Sequence, residues 1–98
     1  MIKKVILGSV HYAAGRAFIP VIEEAAETQE MGGLFFARLI SMVVLEGESA
    51  WVYPFDRNLS MEELVSIAPQ LPHTIEETRK ILGDRSLDAI RNGEPRSG

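Results

Sequence analysis

The chain contains no cysteine, and that absence removes disulfides, thiolate nucleophiles and sulfur-ligated metals together. It fits a reducing compartment, so a cytoplasmic location is expected. Histidine is scarce as well: His11 and His73 are the only two, and nothing in their spacing brings them together with carboxylates as a transition-metal site requires. No metal and no cofactor is expected. Long apolar runs are also missing. The longest, "LFFARLISMVVL", has 12 residues and carries Arg38, whereas a membrane-spanning helix needs about 20. "MIKKVILGSV" places two lysines before an apolar stretch too short for a signal-peptide core. No membrane crossing is expected.

A surplus of positive charge is absent too. The net charge is −4; residues 1–49 hold four basic and six acidic groups, and residues 50–98 hold six and eight. Neither half provides the basic footprint that attracts phosphate backbones. What the chain does have is 46% hydrophobic and 24% charged residues over 98 positions, the composition of an ordinary folded domain and far from that of a disordered chain.

Residues 2–8, "IKKVILG", are apolar, partly β-branched and closed by glycine, which predicts a short strand. Pro20 suits the first position of a helix, and "PVIEEAAETQEMGG" then predicts a helix that stops at Gly32. "LFFARLISMVVLEGESAWVYPF" predicts a β-hairpin with a four-residue "EGES" connection, with a helix over residues 34–45 as the alternative. Ser60 and Glu63 have capping-box spacing at the start of "SMEELVSIAPQL", and Thr74 and Glu77 repeat it in "TIEETRKILG". A further short helix is expected in "DRSLDAIRNG". The expected fold is therefore α/β or α+β: a three-stranded sheet in the order strand, helix, strand, strand, followed by two or three short C-terminal helices. Residues 1–93 form the expected domain and residues 94–98 a frayed tail.

Strict alternation along residues 35–45 puts Phe35, Ala37, Leu39, Ser41, Val43 and Leu45 on one face and Phe36, Arg38, Ile40, Met42 and Val44 on the other. Both faces are apolar, so cover is needed on two sides, from the C-terminal helices and from a second subunit. A homodimer is the expected assembly.

The candidate sites follow from the same residues. "VILGSVHYAAGRAFIP" leads from the first strand toward Pro20, a position where α/β proteins often hold ligands. Ser9, His11, Tyr12 and Arg16 could there hold a small anion, with the guanidinium as clamp. The stretch is not a phosphate-binding P-loop, because six residues separate Gly8 from Gly15 and Arg16 stands in the lysine position. The plain reading of the stretch is a connection, a turn and a short Ala-rich helix "HYAAGRAFI" that leads to Pro20. No catalytic residue is assigned: Ser9 and His11 do not specify a triad and no other nucleophile stands beside a base, so the chain leans away from an enzyme. Glu23, Glu27 and Glu30 would share one face of the expected helix without a basic neighbour, a solvated face or a surface for a basic protein partner. Trp51, Tyr53 and Phe55 alternate, forming an aromatic row for core packing or for an interface. Residues 61–82 have a helix-turn-helix outline, but Glu76 and Glu77 at the start of the second helix would repel DNA. The expectation is a non-catalytic, acidic, homodimeric module that binds another protein. Alternatives are a small-anion-binding protein or minor enzyme at Ser9–Arg16, and a helix-turn-helix DNA-binding protein.

Overall fold

A computed structural model describes residues 2–29 and 32–91. It overturns the expected three-stranded sheet: five antiparallel strands form a curled half-barrel, followed by two helices. The strands are β1 (Ile2–Leu7), β2 (His11–Ala13), β3 (Arg16–Gln29), β4 (Gly32–Glu46) and β5 (Ser49–Pro54); the helices are α1 (Met61–Ile67) and α2 (Leu71–Arg91). The order across the sheet is β1-β3-β4-β5, with β2 pairing β3 beside β1.

The decisive difference lies at Pro20. No helix begins there; residues 16–29 are a strand that pairs along its whole length with β4, from Ala17 opposite Leu45 to Gln29 opposite Gly32. Glutamate and alanine favour a helix in isolation, but a weak local preference yields when a long ladder supplies partners for every backbone group. Proline inside a central strand removes a ladder donor. Here the loss is harmless, because the carbonyl of Pro20 accepts the Gly8 amide at 2.8 Å at the break between β1 and β2, so the missing N–H falls in a gap between two edge segments. Gly8 suits this approach: a β-carbon on it would lie 3.0 Å from both the Pro20 ring and the Ile22 Cδ1, closer than ordinary contact. The opening stretch of the chain is thus an interrupted edge strand.

β2 and β3 are joined by Ala14 and Gly15, both left-handed, with φ of 53° and 74°, the signature of a two-residue type I′ hairpin turn. Alanine is a poor occupant of the first position. Ala14→Asn is expected to stabilise the protein by up to about 1 kcal/mol by relieving the left-handed penalty, measured as a raised urea midpoint with unchanged slope. An unmoved or lowered midpoint would exclude this account of the turn.

The expected hairpin over residues 34–55 does form, but its connection is shorter than four residues, since Glu46 pairs directly with Ser49 and only Gly47 and Glu48 turn. The strict alternation read along β4 breaks in its middle. Val21 lies opposite Ser41 while Ile22 lies opposite Leu39, leaving Ile40 as the extra residue of a bulge. Leu34, Phe36 and Arg38 therefore share a face with Ser41, Val43 and Leu45. Phe35, Ala37 and Leu39 share the other with Met42 and Val44. The Ile40 carbonyl is the acceptor for the amides of Phe55, Asp56 and Arg57 at 3.1–3.4 Å, which anchors the chain as it leaves β5.

The helices cover one face of the sheet over the Ala17–Val21 half of β3. Leu64, Ala68 and Leu71 meet Ala17, Ile19, Val21, Ile40, Val43 and Leu45 in a fully buried cluster. The Ser60–Glu63 capping box is present in both directions at 3.2 Å. The second expected box is not: Thr74 lies inside α2 and its hydroxyl donates to the Gln70 carbonyl at 3.1 Å. Gly83 does not stop α2 either, so the last two expected helices are one of 21 residues. Burial of Ile75 and Leu82 against the core outweighs the roughly 1 kcal/mol helical penalty of one glycine. The radius of gyration is 16.9 Å where a compact chain of this length has about 13 Å, because the β3–β4 hairpin projects as an arm beyond the helices. Residues 94–98 and Glu30 lie outside the described residues.

Candidate functional site

The bulge and the cross-strand register build one polar centre at the root of the arm. Glu23 and Arg38 are register partners on β3 and β4, placed on the helix-bearing face but beyond the reach of the helices. Arg38 donates from Nε and Nη2 to Oε1 of Glu23, at 3.2 and 2.8 Å. Arg57 donates to the other carboxylate oxygen at 2.8 Å, and Arg38 Nη1 lies 3.2 Å from Asp56. Arg57 and Asp56 reach this place because their amides are held on the Ile40 carbonyl. The Glu23 side chain is nearly enclosed, whereas both guanidiniums are about half exposed. The hydrogen bond from Arg38 lowers the Glu23 pKa below its ordinary 4.5; burial opposes this, and the charges of Arg57, Arg38 and Lys3 add to the lowering.

Beside this centre is an open cavity of about 360 Å³ lined by Lys3, Glu23, Ala25, Phe36, Ala37 and Arg38. Its lining residues include no hydroxyl, thiol or imidazole nucleophile. A carboxylate held ionised by two guanidiniums is a poor general base, since its lone pairs are already engaged. The centre acts as a latch that ties the segment after β5 to the arm. Sequence reading missed it, because the pairing of Glu23 with Arg38 is legible only once residues 16–29 and 32–46 are read as paired strands.

The residues expected to hold an anion near the first strand are divided between the two faces of the sheet. Tyr12 lies on the face that packs against the core, under the Arg85 guanidinium at 4.2 Å. His11, opposite Phe18, lies on the other face and is exposed, as is Ser9. Arg16 is paired with Glu46. His73 lies on α2, 3.0 Å from Glu77, and among the described residues no cluster of three or more metal-ligating side chains occurs. Among them, too, no helix is long and apolar enough to cross a membrane.

The glutamates expected on a helix face are strand residues instead. Glu23 is in the latch; Glu24, on the opposite face, lies 3.6 Å from Lys4; Glu27 stands opposite Leu34. The aromatic row is not core. Trp51, Tyr53 and Phe55 are 40%, 58% and 56% exposed, with the Tyr53 and Phe55 rings 5.6 Å apart. Trp51 lies opposite Val44 and Tyr53 opposite Met42, which puts both on the sheet face away from the helices. Phe18, Pro20 and Ile22 continue that face across β3 by register. Its apolar middle is bounded by two ion pairs, Arg16–Glu46 at one end and Lys4–Glu24 at the other. No described element covers it.

No protein-family model, no curated protein and no solved structure matches the chain.

Proposed function

We propose that the protein is a non-catalytic interaction module that works as a homodimer in the cytoplasm and engages another protein. The observation that carries this reading is the uncovered apolar face around Pro20, Met42, Trp51 and Tyr53. Contiguous exposed apolar surface bounded by charge is the usual mark of an interaction site. Aromatic residues are the side chains most often found at the energetic centre of such surfaces. The engagement of Arg16 by Glu46 counts against the small-anion alternative. The absence of cysteine supports the reducing, cytoplasmic setting.

The experiment pairs light scattering with a thermal-shift panel of nucleotides, phosphorylated metabolites, divalent cations and duplex DNA. A mass rising with concentration from the 10.9 kDa of one chain toward twice that value is expected, with no ligand moving Tm. A ligand at one hundred times its Kd adds about 2.7 kcal/mol to the native state, which a domain of this size registers as several degrees. A shift of that size from a small anion, abolished in Arg16→Ala, would transfer the reading to the ligand-binding alternative.

A further inference from the structure

The longest strand of the sheet has a half-empty edge. β4 runs from Gly32 to Glu46, but β5 pairs only with Ser41–Glu46, and the amides of Phe55, Asp56 and Arg57 end on Ile40. From Gly32 to Leu39 the outer edge of β4 has no strand beside it among the described residues. Alternate residues of an unpaired edge direct their N–H and C=O groups outward, and these are a template for another strand.

Other edges of this sheet carry the features that block such pairing. β1 has Lys3 and Lys4, and β5 has six residues and ends in Pro54. The β4 edge has neither lysine nor proline between Gly32 and Leu39. Its one charge, Arg38, is drawn onto Glu23 and Asp56. Leu34, Phe35 and Phe36 are 50%, 64% and 52% exposed, and successive strand residues face opposite ways. Apolar surface is therefore bare on both sides of the arm. A partner lying on one face would leave the other wet, whereas a strand added in the plane of the sheet meets both.

We infer that the arm pairs with the arm of a second copy, β4 antiparallel to β4 about a twofold axis at Phe35. This rests on the homodimeric reading above and assigns its interface. Two identical antiparallel strands are self-complementary about an axis perpendicular to the sheet, and each face is carried onto itself. With Phe35 opposite its own copy, Leu34 faces Phe36 twice, and Gly33 and Gly32 face Ala37 and Arg38, so large side chains meet large and the charged one meets open space. Each aromatic brings roughly half of the 150–250 Å² that full burial involves. That surface and a seven-residue edge make an interface smaller than the standard ~800 Å² per partner, which places the dimer in the weak, reversible class.

The cysteine-free chain makes the test clean. Phe35→Lys places a charge on an exposed edge and should raise the dimer Kd at least tenfold, read by sedimentation velocity, while circular dichroism stays unchanged. Tyr53→Lys, on the open face away from this edge, should leave the dimer intact. Under mild oxidation Phe35→Cys should cross-link between chains and Ala37→Cys should not, since only a residue on the axis meets itself. A wild-type dimer that Phe35→Lys leaves unchanged, or equal cross-linking at both positions, would overturn the arm pairing alone. A monomeric wild type, or one that binds zwitterionic vesicles instead of itself, would overturn the homodimeric reading with it.

Discussion

Leu71→Ala is expected to destabilise the protein by about 2–5 kcal/mol, the range for deleting a buried leucine side chain. Leu71 opens α2 and has no exposed surface. Its amide donates to the Ala68 carbonyl at 2.9 Å, so the side chain is fixed where the two helices meet. There it packs with Leu64 and Ala68 into the cluster formed by Ile19, Val21, Val43 and Leu45. Removing it opens a cavity under both helices at once, and the sheet below, held by continuous ladders, has little freedom to collapse into the space. A domain of this size has about 5–15 kcal/mol in all, so the loss is a large share. Urea unfolding should show a lower midpoint and an unchanged slope. Ile81→Ala, at a position 43% exposed on the same helix, should stay within about 0.5 kcal/mol of the parent. Equal effects at the two positions would mean that α2 does not pack as described.

The second large effect concerns Glu23 and has a definite pH dependence. Its folded pKa is lowered, principally by the hydrogen bond from Arg38. The carboxylate binds its proton more readily in the unfolded chain, so its contribution to stability is fully present above the unfolded value near 4.5 and fades as pH falls through the folded one. Glu23→Gln keeps the shape and removes the charge. At pH 7 the variant should melt clearly below the parent; as pH falls below the ordinary carboxylate range, the two curves should converge. A gap of constant size from pH 7 to pH 3 would show that the loss is one of packing. The same substitution frees Arg57, so amide exchange should quicken in the segment around Phe55–Arg57, and a protected segment in the variant would contradict its role as a latch.

Both effects depend on features that differ in how far the sequence discloses them. The helical C-terminal part was legible from Ser60 and Glu63, because a capping box is a local device written within four residues. The β4–β5 hairpin was legible for the same reason, from apolar runs on either side of a glycine. β3 was not. Pro20, Ala25, Ala26 and its glutamates carry a helical signal, and the partner that overrides it lies on another strand, with Glu23 paired to Arg38 fifteen positions away. The helix on which the anion loop and the acidic face were read is a strand instead, so Glu23 and Glu24 point to opposite faces. The apolar character of both faces of β4 was read correctly, but one bulge reassigned half of its residues.

That bulge bears on how such a chain tolerates insertions and deletions. Ile40 is a residue in excess: without it, Val21 would still face Ser41 and Ile22 would still face Leu39, so the ladder would simply run straight. Its removal would leave every side chain of the arm on its present face. The surplus residue is nevertheless fully buried, and its carbonyl receives the amides of three residues of the returning chain. A single-residue deletion at position 40 would therefore leave the arm's outline intact while unfastening the Asp56–Arg57 segment from it. A length change in the middle of a strand, ordinarily a frameshift for the whole sheet, is here confined to one joint.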